Sequence, residues 1–360
     1  MRALFAVLLL GGVLCAQAQD HFTESETQAI LRHGPWPPPW RADPSNRVSG
    51  KPEAIAFGRR LFFEPRLSGP GSVLCATCHA PSKAFQDGKP RAFGLAQVER
   101  NTPTLLNVRY SRWFGWDGAH DSLWSQSVRP LLEAKEMDAT PAHVAEVVKR
   151  LFLSDYKAVF KEEPKDPETV FVNVGKALAA YEETMVSGRT SFDDFRDALA
   201  KGRKASYPLA AQRGLKLFVG KGACASCHSG PAFTSGDFAN GVAAFTASPS
   251  HDDGGRADGI RKLLADPYNL LGKYNDDPSR STAGGTRGAQ PRKNDFGEFR
   301  VPSLRNAADT APYMHDGSLP TLLEAVRHAP GALRLTESEA ADLVAFLETL
   351  SEQSRAGAQH

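Results

Sequence analysis

The chain has 360 residues and little in it that would fix its partners from outside. Beyond its first 18 residues no apolar run approaches the ~20 residues a membrane-spanning helix needs, so no span is expected. Lys and Arg number 43 against 41 Asp and Glu, for a net charge of +2. That balance offers neither the basic face of a nucleic-acid binder nor an acidic tail. Cysteine is scarce, with five in the chain. Cys15 lies in the leader, and the other four fall in two close pairs, so none is left over for a disulfide. Arg2, the short apolar core Leu4 to Leu14 and the small-x-small triplet Ala16-Gln17-Ala18 read as a secretory signal over residues 1–18. Leu14 is too bulky for the position before a lipid-modified cysteine, which argues against Cys15 as an anchor. An exported chain that reserves its remaining thiols for one purpose points to the bacterial periplasm.

The purpose is legible in the pairs themselves. Cys75-Ala76-Thr77-Cys78-His79 and Cys224-Ala225-Ser226-Cys227-His228 are both C-x-x-C-H, the attachment pattern of c-type haem. Two thiols add to the two vinyl groups of one porphyrin, and the adjacent histidine supplies the proximal nitrogen to iron. A zinc site would use wider Cys/His spacings. A thioredoxin-like dithiol does not need the histidine. Two haems c are therefore expected, attached at Cys75, Cys78, Cys224 and Cys227, with His79 and His228 on iron.

The rest of the chain repeats around these motifs. Thr102-Pro-Thr-Leu-Leu-Asn107 matches Val301-Pro-Ser-Leu-Arg-Asn306, Trp116-Asp-Gly118 matches His315-Asp-Gly317, and Ser122-Leu123 matches Thr321-Leu322, all at an offset of 199. The expected architecture is mainly α: two duplicated cytochrome c-like haem domains over 19–187 and 188–360, with little strand. The second carries a long insertion, roughly 236–298, read as a structured loop over one haem. Helices are expected over 52–63, Ala142 to Phe152, Tyr156 to Phe160, Pro167 to Met185, Ala210 to Val219 and Glu337 to Leu350. A helical patch is expected near Ile260 to Ala265. Thr336 with Glu339 makes a capping box for the last helix. The stripe Val170, Val174, Ala177, Leu178 and Tyr181 reads as core. Residues 19–50 read as an extended segment, since the prolines of His33-Gly34-Pro35-Trp36-Pro37-Pro38-Pro39-Trp40 exclude regular helix there, with the two tryptophans pinning it to the body.

In this order, the two C-x-x-C-H motifs, Arg100-Asn-Thr-Pro-Thr-Leu-Leu-Asn107, Trp116-Asp-Gly118 and Ala311-Pro-Tyr-Met-His-Asp-Gly317 resemble the bacterial di-haem cytochrome c peroxidases. That superfamily includes MauG, which oxidises tryptophans on a partner protein. The resemblance implies that the haem on His79 reacts with hydrogen peroxide. Its distal glutamine and glutamate, ten and twenty residues after the Trp-Asp-Gly tryptophan, correspond to Gln126 and Glu136. A carboxylate in a dry site can move a proton between the two peroxide oxygens, and an amide can orient them. Trp116 corresponds to an indole that relays electrons between the haems. The resemblance also implies one calcium ion, held by the Asn101 side chain and the carbonyls of Thr310 and Pro312. It further implies a small cytochrome c or copper protein as electron donor, and the homodimer common in the family.

Two departures from the family pattern bear on subtype. Many family members close the first haem with a histidine from the loop after the motif, but residues 80–101 contain no His and no Met. An open, peroxide-ready first haem is therefore expected, as in MauG-like members. The family's Met or Tyr ligand of the second haem corresponds to Ala329, which cannot ligate. His328, one residue earlier, is a candidate distal ligand. Three readings follow: a peroxidase, a MauG-like oxidase of a partner's aromatic side chains, or a non-catalytic electron-transfer protein. Retention of Gln126 and Glu136 disfavours the last.

Overall fold

The computed structural model describes residues 22–240 and 253–352. The expected signal segment and residues 241–252 of the insertion lie outside these. The described chain runs through α1 (Glu24–Leu31), α2 (Pro52–Phe62), α3 (Cys75–Cys78), α4 (Leu123–Leu132), α5 (Pro141–Leu151), α6 (Leu153–Phe160) and α7 (Pro167–Glu182). It continues through α8 (Ser191–Ala200), α9 (Leu209–Val219), α10 (Arg256–Ala265), α11 (Gly284–Arg287), α12 (Leu322–His328) and α13 (Glu337–Glu348). Strand is confined, among the described residues, to β1 (Phe238–Ala239) and β2 (Phe299–Arg300), which pair antiparallel. The mainly helical expectation and the scarcity of strand both agree.

Each half is built on one crossed helix pair. α2 precedes the first C-x-x-C-H motif and crosses α7, while α9 precedes the second and crosses α13. Glycine permits both crossings. A Cβ on Gly58 would lie 1.9 Å from the Ala177 carbonyl oxygen, and one on Gly214 would lie 2.0 Å from that of Asp342. Around the first pair packs a core that includes Phe62, Trp124, Val128, Phe171 and Leu178. Around the second pack Phe192, Phe218, Phe233 and Phe346.

Two segments cross from one half to the other. Phe22 and Ile30, on and before α1, belong to the second core. Tyr268, Leu270 and Ala283, from the insertion, belong to the first. Polar contacts tie that insertion down. Asp121 Oδ2 accepts from the Leu270 N–H at 2.9 Å and the Thr286 hydroxyl at 2.6 Å. The buried Lys176 Nζ donates to Asp276 at 2.6 Å. The described part of the insertion is thus tied to the first half, with Tyr268, Leu270 and Ala283 in its core.

Several helices were not foreseen, among them α1, α4, α8 and α12. α1 interrupts the segment read as extended. Its signal was a capping box of Thr23 and Glu26, with the Glu26 N–H donating to Thr23 Oγ1 at 3.2 Å. The proline-rich stretch after it is irregular as expected. The Trp36 indole is buried and donates to the Ser187 carbonyl at 3.0 Å. α8 follows soon after the expected boundary at 187/188, opened by Thr190 and Asp193. Asp193 also receives Arg305 at 3.0 and 2.7 Å, a pair hidden from solvent on both sides, with the guanidinium 3.7 Å from the Trp36 ring centroid. Gly214→Ala forces a methyl group into the Asp342 carbonyl and should lower stability by about 1–3 kcal/mol or more, read as a reduced midpoint in denaturant unfolding of the haem-loaded protein.

Candidate functional site

The two C-x-x-C-H motifs fold alike. α3 carries Cys75 and Cys78 and ends at His79, while a single 3-10 turn, Cys224–Ser226, leads to Cys227 and His228. His79 Nδ1 lies 3.0 Å from the Phe85 carbonyl, and His228 Nδ1 lies 3.1 Å from that of Phe233. A carbonyl can only accept, so each Nδ1 carries the proton and each Nε2 lone pair is left for a metal. Phe85 and Phe233 reach these positions with φ of 56° and 52°. The downstream repeat braces both loops: Thr104 donates to the Ala84 carbonyl at 2.5 Å and Ser303 to that of Ala232 at 2.6 Å. Burial lowers both imidazole pKa values and so favours the neutral, ligating form. The four thiols form no disulfide. Burial pushes Cys78 and Cys224 up to about 11, so neither is a resting thiolate nucleophile.

A cavity of about 840 Å³ opens beside His228, Cys224 and Cys227. It falls in the size range of cofactor sites. Trp116, from the first half, stands in its wall. The Trp116 indole donates to the Asn101 carbonyl at 2.9 Å, and its own carbonyl accepts from the Arg300 N–H at 2.8 Å. Asn101, Thr310 and Pro312 also line this cavity. The Asn101 amide NH₂ donates to the Lys89 carbonyl at 2.8 Å, which turns the side-chain oxygen, the atom a cation would use, away from that bond. His328 and Ala329 also line this cavity. His328 Nδ1 bonds the Glu324 carbonyl one turn back at 2.7 Å.

On the first side, α4 carries Gln126, whose Oε1 is buried and has no hydrogen-bond partner among protein groups. Such an atom can take a hydrogen bond from water or a bound ligand. Glu136 follows in the turn after α4. Burial pushes its pKa above the ordinary 4.5, against the pull of Arg129. Its charge is felt at Cys78. The Leu95 N–H donates to the Glu136 carbonyl at 3.1 Å and the Ala96 N–H to that of Lys135 at 2.8 Å, which folds the loop after the motif onto this turn. The paired free thiols and the Nδ1-anchored imidazole fit haem at both motifs, and the cavity adds room for it at the second.

The comparisons agree with this geometry. A family profile described as di-haem cytochrome c peroxidase matches residues 52–201. The methylamine utilization protein MauG of Methylorubrum extorquens is 36% identical over 321 residues, covering 85% of this chain and 80% of that protein. The chain belongs to the di-haem cytochrome c peroxidase family. A cytochrome c551 peroxidase of Nitrosomonas europaea is 30% identical over 301 residues, covering 82% of this chain and 79% of the relative. Among solved structures, a MauG-like protein associated with microbial copper homeostasis superposes with a TM-score of 0.67 at 28% identity, covering 89% of this chain and 96% of the other. This family member is accordingly a two-haem c-type oxidoreductase of the peroxidase class.

Two further residues explain how the Trp116 turn is held, and neither was singled out from the sequence for it. His120 is buried, bridges to the Phe114 backbone and has Nδ1 3.2 Å from Asp266 of the insertion. Arg256 lies 4.5 Å from the Trp113 ring centroid and 4.1 Å from that of Phe238, and donates to the Gly118 carbonyl at 2.7 Å. Only the tertiary fold brings the insertion to that turn. Replacing both Cys224 and Cys227 with serine should leave a protein whose intact mass is one haem lighter, with the His79 haem still covalently held.

Proposed function

We propose that this protein reduces hydrogen peroxide at the His79 haem, drawing electrons through the His228 haem. The bound haem supplies an iron centre that exchanges electrons with peroxide. Gln126, whose Oε1 is free to receive a hydrogen bond, orients the peroxide. Glu136 takes the proton from the oxygen nearer the iron and returns it to the departing oxygen. Two electrons and two further protons complete the conversion of one peroxide to two waters. Trp116, in the wall of the second cavity, shortens the electron path between the halves. The single observation that carries this reading is the buried, unpartnered Oε1 of Gln126, with Glu136 supporting it through a pKa that burial raises.

A calcium ion on the Asn101 side chain and the Thr310 and Pro312 carbonyls would stiffen the seam between the halves, since hard oxygen donors suit that ion. His328 is the candidate distal ligand of the second haem. The leader at residues 1–18 supports a periplasmic location, where a small cytochrome c or copper protein would donate electrons near the second haem. Among the described residues no helix is long and apolar enough to cross a membrane. A second reading, peroxide-driven oxidation of aromatic side chains on a partner protein, is favoured by the absence of His and Met from residues 80–101 and by the likeness to MauG.

Glu136→Gln should lower peroxide turnover by roughly 10²- to 10⁴-fold, the usual worth of a general acid–base group, with haem content unchanged. Retained turnover would remove Glu136 from the mechanism. Because burial raises the Glu136 pKa, the base form is lost on acidification earlier than for a free carboxylate. The acid limb of the rate profile should therefore lie above pH 4.5 in the parent protein and vanish in Glu136→Gln. The fully oxidised protein should lose its high-spin ferric EPR signal on stoichiometric peroxide without prior reduction. Two low-spin signals and no reaction until an electron is added would instead mean that a ligand closes the first haem.

A further inference from the structure

The internal duplication allows the two haem sites to be compared wall by wall. Two independent contacts fix the register of the closing helices. Gly58 meets the Ala177 carbonyl and Tyr181 Cβ where Gly214 meets the Asp342 carbonyl and Phe346 Cβ. The Asn107 N–H donates to the Met185 carbonyl at 2.7 Å, and the Asn306 N–H to that of Leu350 at 3.0 Å. Both contacts lay α7 on α13 at an offset of 165. α4 lies on α12 at the offset of 199, with Ser122 and Thr321 as matching N-caps.

In this register the cavity beside His228 is walled by Ala325, Val326 and Leu347. The corresponding residues of the first half are Gln126, Ser127 and Glu182. Gln126 already has a role, but Ser127 and Glu182 do not. A position that holds leucine in one haem wall holds a carboxylate in the other. Glu182 is 6% exposed, and no cation pairs with it among the described residues. Its Oε2 lies 2.9 Å from Ser127 Oγ, which is also 2.7 Å from the Leu123 carbonyl. The neighbouring Glu183 turns the other way, onto the Ser49 hydroxyl at 2.8 and 2.9 Å. Glu182 is also close enough to Cys75, one of the haem-attaching thiols, to push that thiol's pKa up.

We propose that Glu182, held by Ser127, is a wall residue of the His79 haem site that lowers the reduction potential of that haem and so favours its oxidised form. Oxidising an iron adds positive charge, and an uncompensated carboxylate in a dry wall stabilises the more positive state. The His228 site, with Leu347 and Val326 in the same places, lacks this bias. The oxidised form is the one an open peroxide site needs at rest. The proposal rests on the reading of the His79 haem as the reacting one only for this consequence, not for the effect on potential.

The test is a spectropotentiometric titration of the haem-loaded protein with no peroxide present. Burial pushes Glu182 up to about 7, so titration at about pH 9 keeps it charged. His79→Gly identifies which of the two waves belongs to the first haem. Glu182→Gln, which keeps the shape and removes the charge, and Glu182→Leu, the residue of the other half, should each move that wave to higher potential and leave the second wave in place. Ser127→Val should move the same wave by less. If the wave stays put in Glu182→Gln with both haems bound, or if both waves move together, the proposal is overturned. Since no turnover is read, a null result for Glu136→Gln would leave this outcome interpretable on its own.

Discussion

Everything in this molecule hangs on two places where helices touch backbone to backbone. At Gly58 and Gly214 there is no room even for a methyl group, so α2 is locked to α7 and α9 to α13 at fixed register. Each crossing delivers its C-x-x-C-H motif to the same place relative to a closing helix. The loop after each motif then turns back on itself, and a backbone carbonyl at a residue with positive φ captures the imidazole. The histidine is thus oriented by main chain rather than by a side chain, which makes its aim a property of the fold.

Upon this common frame the two halves differ in polarity. The first half places an amide, a hydroxyl and a carboxylate where the second places alanine, valine and leucine. At these three matched positions the first half is polar and the second apolar. Trp116, from the first half, lines the cavity beside His228.

Much of this was legible in the chain. The attachment motifs, the offset of 199 and the helices α2, α5, α7, α9 and α13 are local signals, and the structure carries those helices. Gln126 and Glu136 stand out only through the family resemblance and their spacing from Trp116, since a lone glutamate in Glu133-Ala-Lys-Glu136 looks like any solvated charge. α1 had a clear capping box at Thr23 and Glu26 that the proline-rich stretch beyond it obscured. Glu182 sits four residues after Leu178, on the apolar stripe of α7, and a charge on such a stripe was itself a signal. The packing of the insertion on the first core had no local signature. It depends on contacts such as Leu270 with Asp121, between residues far apart in the chain.

The interleaving of the two halves also constrains how the protein comes into being. Phe22 and Ile30, among the first described residues, share a core with Phe346 and Leu350, among the last. The second core cannot close until the whole polypeptide has emerged, and the first is not fully roofed until Tyr268 and Leu270 have followed. Both attachment motifs precede those late residues. Nascent chain therefore presents its four thiols while neither half is complete, a window in which porphyrin can be joined before the walls shut around it.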